Sequence, residues 1–439
     1  MSATYDDTGK SRSGAGPALT PARMKNLAAT GLAYIAFCLL MLSLRPFSPT
    51  SILDVEANEG DRLNQIGFLA AGSIVFIGLI TLVDRKKLAA YVQPAWIGIY
   101  LVLALSIVVA PDPSAAMRSV ILTLIGMLIA SAVILLPPDE ESFARMLAAV
   151  MLTLLFINYA GFALLPSLAI HGADAFEPQH AGLWRGSFTH KNIAGPVMSV
   201  FVMFGIYIYR RGMRLSGIAV ALLAFIFVLK TGSKTTNGLL PMAVMVVLAG
   251  RIFGLPKLTV ILSALAVILA ALLTIGTIYS DALASLTGSI LDDPSFTGRF
   301  TLWKYGLENF SQNFWLGTGY DSFWGRPVVT GIEEPYEWAW DFRGIVHGHS
   351  NYVDMLLTLG VVGFAIMVWA IYIMPAVNYV KACRNPANAA RADLFMMVIL
   401  FFALLSFLET FFLRRVDPIW LLMIMAIMQL QVLARQEER

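Results

Sequence analysis

Charge is what this sequence has least of. Only 13% of its 439 residues are Asp, Glu, Lys or Arg, and 58% are hydrophobic; a soluble domain carries about a quarter charged residues. An ordinary soluble protein is excluded. Cysteine is nearly absent as well. Cys38 falls inside an apolar run and Cys383 in a short loop, so no disulfide framework is suggested. No internal repeat is visible, and the largest polar segment follows the ninth apolar run. That argues against a transporter built from two six-span halves.

What is abundant is apolar sequence in runs of roughly twenty residues, each able to cross ~30 Å of hydrocarbon. The fold class expected is an all-α polytopic integral membrane protein. About twelve spans are predicted, at 27–44, 65–83, 92–110, 117–136, 146–169, 193–209, 213–229, 236–253, 257–278, 351–380, 392–412 and 418–434. The short run 236–253 contains Pro241, which a span tolerates when neighbours satisfy the freed carbonyl. No small-residue cleavage signature follows the first run, which is therefore expected to be retained. The organisation expected is a polar cytoplasmic tail (1–26), a bundle of about nine spans (27–278) with an external loop at 170–192, a large loop with short interfacial helices (279–350), three last spans (351–434) and a cytoplasmic tail (435–439).

Basic residues set the orientation. With the N-terminus inside, 18 of the 31 Lys and Arg fall on the cytoplasmic side, in clusters such as RKK (85–87) and YRRGMR (209–214). Both termini are then cytoplasmic. All five histidines (His171, His180, His190, His347, His349) and both long polar segments fall outside. The second segment, about 278–350, is long for a membrane-protein connection, and such loops are usually functional. It holds Trp303, Trp315, Trp324, Trp338 and Trp340. These rings serve equally as headgroup-level anchors or as platforms for the apolar faces of sugars.

Basic residues outside the cytoplasm run against the positive-inside tendency and need a reason. They occur as LWRGSFTHKN (Arg185, His190, Lys191, Asn192), KTGSK (Lys230, Lys234), TGRFTLWKYGLENF (Arg299, Lys304) and LRRVDP (Arg414, Arg415). Arg matches planar anions by bidentate bonds and Lys offers a point charge, so convergence of these groups would bind a phosphorylated lipid headgroup. The plainer alternatives are snorkelling at helix ends or pairing with Asp292, Asp293 and Glu308. Arg299 opens a helical stripe of Phe300, Trp303, Leu307 and Phe310, which predicts a short amphipathic helix on the interface with Arg299 at its anion-favouring N-terminus.

HGHSNYVDMLLTLGVVG (347–363) sets two imidazoles before an apolar run. A helix starting near Ser350 puts His349 at its N-cap, poised to move a proton near neutral pH, with His347 on another face. Three readings stay open. A metal site would need further ligands; Glu333, Glu334 and Asp341 are available but lack recognisable spacing. A structural histidine is a second reading, and a general base at His349 is the third. Gly360 and Gly363 would allow close helix approach in lipid.

These segments resemble the O-antigen ligase and Wzy-type polymerase superfamily. The run His349-Ser350, nine residues, Gly360, two residues, Gly363 is similar to its ligase-type signature. GSFTHKNIAG (186–195) resembles its Gly-x-Phe-x-His-x-Asn segment, and residues 297–324 its Gly-Arg…Trp…Gly-x-Gly-Tyr segment. The wording GTGYDSFWG (317–325) and the His-x-His look most like ExoQ-type exopolysaccharide polymerases.

The resemblance implies a GT-C-like glycosyltransferase of the bacterial inner membrane, acting at the periplasmic face on a polyprenyl-pyrophosphate-linked oligosaccharide. His349 would be the catalytic base. Arg299 and Arg185, with Lys191, Arg414 and Arg415, would hold the pyrophosphate. His190, Asn192, His347, Asn351, Trp303 and Tyr320 would support them. No Asp-x-Asp occurs, so neither metal nor cofactor is expected, and a single direct displacement would invert the anomeric centre. The expected partners are the lipid-linked donor, a glycan acceptor, the bilayer, a chain-length regulator and export proteins, and no nucleic acid. A polymerase is expected first. The alternatives are a ligase transferring glycan to lipid A-core or a protein hydroxyl, and a non-catalytic transporter. A transporter would line mid-span positions with charge, where Glu409 is the main example.

Overall fold

The computed structural model describes residues 20–48, 62–173, 178–291, 293, 295–296, 298–331 and 342–436. Asp292, Glu333, Glu334, Trp338, Trp340 and Asp341 lie outside these residues. Among the described residues every regular element is helical, with one isolated antiparallel bridge between Ile170 and Trp184. The helices of nine residues or more are, in order, α1 (Pro21–Leu42), α2 (Arg62–Leu82), α3 (Pro94–Val109), α4 (Pro113–Leu135), α5 (Glu140–Leu164), α6 (Lys191–Arg210), α7 (Arg214–Lys230), α8 (Lys234–Ile252), α9 (Pro256–Leu273), α10 (Asp281–Ile290), α11 (Arg299–Gln312), α12 (Asn351–Val368), α13 (Met374–Ala382), α14 (Ala389–Leu405) and α15 (Pro418–Arg435).

Proline at the first or second position opens α1, α3, α4, α9 and α15, where its missing N–H has no helical partner to lose. Acidic caps reinforce several starts. Asp112 accepts from Ala115 N (3.0 Å), Asp139 from Ser142 N (2.8 Å) and Asp417 from Ile419 N (2.8 Å). Nine helices among the described residues are long and apolar enough to cross a membrane, and the pair Arg85–Val92 and Pro94–Val109, bent by 50°, makes a tenth. α7 and α14 have 17 residues each, about 25 Å of helix. The polytopic all-α class therefore stands, while length and composition support fewer than the twelve spans expected.

Burial sorts the helices into layers. α14 and α15 are apolar and buried on every face, so they form the centre. α9 buries only Thr259 and Ser263, its two hydroxyl residues, and turns its apolar side outward. α6 and α7 approach closely because Gly205 and Gly217 carry no side chain; a Cβ at Gly205 would stand 2.6 Å from Ala221 N. At the bundle end away from the large loop, Asp393 accepts from Arg210 (3.1 Å) and Tyr379 (3.1 Å), and Glu140 pairs with Arg211 (3.4 Å) and Arg391 (3.5 Å). Part of the basic cluster there is thus tied into the bundle.

Three expectations change at the other end. The eleventh span, expected over 392–412, stops at Leu405, and residues 406–417 contain no regular helix. Glu409 is therefore not a mid-span charge. The stripe on α11 packs on protein. Trp303 is fully buried with Leu302 and Tyr305 in a small second core that includes Phe323, Val353 and Leu357. Of the other loop tryptophans, Trp315 is exposed and Trp324 half-buried. Finally, Gly360 does not serve close helix packing. It breaks α12 with φ +64°, and a Cβ there would lie 2.4 Å from Trp315 O. Residues 313–319 lie against the break: Thr318 N donates to Leu357 O (2.8 Å), Gly319 N to Thr358 O (3.0 Å) and Val361 N to Phe314 O (2.8 Å). The large loop is stitched to α12 by backbone bonds that an unbroken helix would have kept for itself.

Candidate active site at the loop end of the bundle

α12 begins at Asn351, with Ser350 at its N-cap. His349 stands just before, in the left-handed region at φ +52°. That turn brings the two imidazoles together, with ring centroids 4.2 Å apart, where a continuing helix would have separated them. Asp354 holds the turn from inside. Its carboxylate accepts from Gly348 N (3.0 Å), Trp324 Nε1 (2.7 Å) and Thr410 Oγ1 (2.7 Å).

Asn351 fixes the far segment. Asn351 N donates to Ser406 O (2.8 Å), its Nδ2 to Ser406 Oγ (3.0 Å), and its Oδ1 accepts from Phe411 N and Phe412 N (2.8 Å each). These bonds meet the needs of a backbone that has left α14, and they carry Glu409 to the histidines. Glu409 Oε1 accepts from Arg299 Nη2 (3.0 Å), and Oε2 lies 3.5 Å from His349 Nδ1. Burial alone would raise this carboxyl's pKa. The Arg299 charge and the His349 hydrogen bond outweigh burial and hold it at about 2. Arg299 is the first residue of α11, as expected, and its Nη1 donates to Leu408 O.

Beside this trio opens a cavity of about 500 Å³. His347, Trp324, Tyr320, Asp321, Arg414 and Arg415 are among its walls; His349 and Arg299 are not. Asp321 pairs with Arg415 and Arg326 (3.1 Å each), all three partly exposed. Tyr320 is 4% exposed and its hydroxyl meets Thr123 Oγ1 at 2.6 Å. Burial first, then the neighbouring His349, Arg414, Arg299 and His190, hold the His347 imidazole well below its ordinary pKa.

The other basic groups expected outside the cytoplasm do not converge on this cavity. Arg185 is 3% exposed, and its Nη1 donates to Ser48 O (3.1 Å), Phe188 O (3.3 Å) and Thr189 O (3.3 Å). It ties its own loop to the segment after α1. Lys230 and Lys234 are exposed around the α7–α8 turn. His190 caps α6 by accepting from Asn192 N (3.1 Å), and Lys191 N donates to His171 Nε2 (3.3 Å). The rings of His171, His180 and His190 cluster at 5.0–5.8 Å. Among the described residues no group of three or more His, Cys, Asp or Glu is arranged to hold a metal ion.

Sequence reasoning missed the roles of Asp354, Asp321 and Thr410 and the bond from Trp324 to Asp354, and it placed Glu409 in a helix. Glu409 did carry a signal: an acid in an otherwise apolar run.

Residues 218–368 match the sequence model of a family described as O-antigen ligase. The match takes in Arg299, His347 and His349 and ends before Glu409. The chain is also 24% identical over 324 residues to the exopolysaccharide production protein ExoQ of Rhizobium meliloti (strain 1021), covering 70% of each chain. Both likenesses agree with the motifs: the chain is similar to the O-antigen ligase family and to ExoQ, and its long apolar helices are those of a multi-pass membrane protein.

Proposed function

We propose that this protein is a membrane glycosyltransferase that polymerises polyprenyl-pyrophosphate-linked oligosaccharide repeat units into an exopolysaccharide. The reaction takes place at the periplasmic face of the inner membrane, with both termini cytoplasmic. The observation that carries this reading is the cavity itself, where two arginines, aromatic side chains and carboxylates meet beside a histidine whose Nδ1 lies 3.5 Å from Glu409.

Each part fits a glycosyl transfer. An acceptor hydroxyl is a poor nucleophile and needs a base as it attacks the anomeric carbon; His349, its ring 4.2 Å from that of His347 on the cavity wall, is that base. The pyrophosphate leaving group needs positive charge, not a proton. Arg414 and Arg415 line the cavity and can supply it. Arg299 acts one step behind, through Glu409, and Arg185 lies too deep in its own hydrogen bonds to serve. Trp324, half-buried on the cavity wall, is the aromatic side chain available to a sugar. No step calls for a metal, and a single displacement inverts the anomeric centre.

A ligase uses the same chemistry with another acceptor, and the family described as O-antigen ligase keeps that reading open. Reconstitution in nanodiscs with a lipid-pyrophosphate repeat unit and no other acceptor separates them. A ladder of lengthened products supports polymerisation. Transfer only after lipid A-core or a protein acceptor is added supports ligation. Binding of the donor with no transfer to any acceptor would leave only a transporter.

A further inference from the structure

Between α2, α3 and α4 lies a second cavity, of about 640 Å³, within the size range of small-molecule sites. α2 and α3 each pack against α4 and leave a slot between them, with α4 as its floor. The short helical segment Arg85–Val92, bent by 50° from α3, crosses from α2 to α3 and contributes Leu88 and Tyr91 to the slot. Every lining side chain is hydrophobic or aromatic, and the polar atoms of two rings are satisfied inside the protein. The Tyr91 hydroxyl meets Ser131 Oγ at 2.6 Å, and Trp96 Nε1 donates to Gln431 Oε1 (2.7 Å). The walls therefore favour a hydrocarbon chain. Charge lies at one end. Along α4 the slot reaches only to Ile121, about 12 Å from the helix start at Pro113. At the other end it runs to Leu88, directly after Arg85, Lys86 and Lys87. Arg85 and Lys86 are exposed, and the half-buried Lys87 donates from Nζ to Pro138 O (3.4 Å). The acids beside them, Asp84 and Asp139, accept from Lys86 N and Ser142 N (2.8 Å each). The positive-inside tendency accounts for basic residues at this end, but not for an apolar slot that ends on them.

We propose that this slot binds an anionic glycerophospholipid. One acyl chain lies between α2 and α3 on the floor made by α4, and the headgroup phosphate stays at the bundle end with Arg85, Lys86 and Lys87. The lipid belongs to the leaflet away from the reaction cavity, which the orientation proposed above makes the cytoplasmic one. Only the name of the leaflet rests on that orientation, and the site does not rest on the glycosyl-transfer reading. The same asymmetry argues against the polyprenyl chain of the donor. Its pyrophosphate belongs with Arg414 and Arg415 at the opposite end of the bundle, and the slot stops short of that end. On its other face α4 carries Thr123 and Ser119, whose hydroxyls meet Tyr320 Oη (2.6 Å) and Asp321 Oδ2 (3.4 Å) at the reaction cavity. A lipid seated in the slot thus braces the helix behind the cavity wall.

The test uses the full chain in detergent, titrated with dioleoylphosphatidylglycerol or dioleoylphosphatidylcholine and read by native mass spectrometry. Each basic residue at headgroup level is worth about fivefold in affinity for an anionic lipid. With three of them, the parent should retain one phosphatidylglycerol about 100-fold more tightly than phosphatidylcholine at low salt, and less so at high salt. Arg85→Gln with Lys86→Gln removes two exposed charges and should cut that preference about 25-fold at an unchanged denaturant midpoint. Ile121→Trp fills the slot from a side chain that is already 43% exposed, and should weaken phosphatidylglycerol binding about tenfold, the worth of roughly two buried methylenes. Equal retention of the two lipids by the parent would overturn the proposal. So would a folded double variant that keeps the full preference, or undiminished phosphatidylglycerol binding by Ile121→Trp. Polyprenyl phosphate displacing phosphatidylglycerol one for one would give the slot to the donor's chain and overturn it equally. None of these results depends on sugar transfer, which the product ladder reads by itself.

Discussion

Replacing Glu409 with glutamine removes the charge at the middle of the Arg299–Glu409–His349 trio while keeping the shape. The carboxylate is 15% exposed and Arg299 16%, so water screens the pair little. The carboxyl titrates at about 2 in the folded protein against 4.5 ordinarily. At about 1.4 kcal/mol per pH unit, that gap amounts to about 3 kcal/mol of stability. A similar figure, about 3–5 kcal/mol, follows from leaving the Arg299 guanidinium buried without its partner. Because the folded-state pKa is depressed, the contribution is complete above pH about 4.5 and is lost as the pH falls through about 2. Denaturant titration of the detergent-solubilised protein at pH 7, then at decreasing pH, reads both quantities. Glu409→Gln should unfold more easily by about 3 kcal/mol at pH 7, and its deficit against the parent should shrink below pH about 4.5. Adding Arg299→Gln should restore part of the loss, because the orphaned charge goes with it. A variant within about 0.5 kcal/mol of the parent at pH 7 would refute the buried pair as an organising contact.

Other sites give sharper or simpler readouts. Gly360→Ala should prevent stable assembly, costing upwards of about 3 kcal/mol, because φ +64° and a Cβ 2.4 Å from Trp315 O leave no room to adapt; yield and denaturant midpoint check it. Arg185→Gln should lose about 3 kcal/mol of stability by stranding three carbonyls, yet what folds should bind donor with parental affinity by native mass spectrometry. Arg415→Ala should raise the donor KM about tenfold or more, most visibly at low salt, since the cavity loses a charge aimed at phosphate. Asp321→Asn should do the reverse, lowering the donor KM by releasing Arg415, while stability moves by less than about 1 kcal/mol because both ion pairs are partly exposed.

Much of this was legible in the sequence. The apolar runs announced the helices, and the helix start expected near Ser350, with His349 at its cap, is found one residue later, at Asn351 with Ser350 as the cap. Arg299 at the head of α11 also followed from its stripe. What failed did so for identifiable reasons. An apolar run carries no mark of where a helix stops if a distant side chain can take over the backbone's hydrogen bonds, and Asn351 does that for residues 406–412. The stripe on α11 says only that one side is buried; it does not distinguish lipid from protein, and Trp303 faces protein. Counting positive charges could not separate Arg185, spent on three carbonyls, from Arg414 and Arg415 on the cavity wall. His347 was expected on another face from His349, and the left-handed φ at His349 instead brings the two rings together.

The run His349-Ser350-Asn351 then has a physical meaning as a unit. His349 carries the imidazole, but its orientation depends on Glu409, which lies 60 positions further on. Nothing local can bring that acid into reach. Asn351 can, because an amide side chain at the first turn of α12 both donates to Ser406 Oγ and accepts two N–H groups from Phe411 and Phe412. Neither a carboxylate nor a hydrophobic isostere makes that set of bonds. The break at Gly360 performs the matching task on the other side, opening α12 so that residues 313–319 bond to it and, through Gly319 and Tyr320, bring Asp321 to the cavity. α12 is thus less a membrane anchor than a spine with two docking points. One recruits the acid that orients a histidine, and the other recruits the loop that walls the cavity. The signature joins His349-Ser350 to Gly360 and Gly363 across nine residues because both docking points must lie on the same helix, about three turns apart.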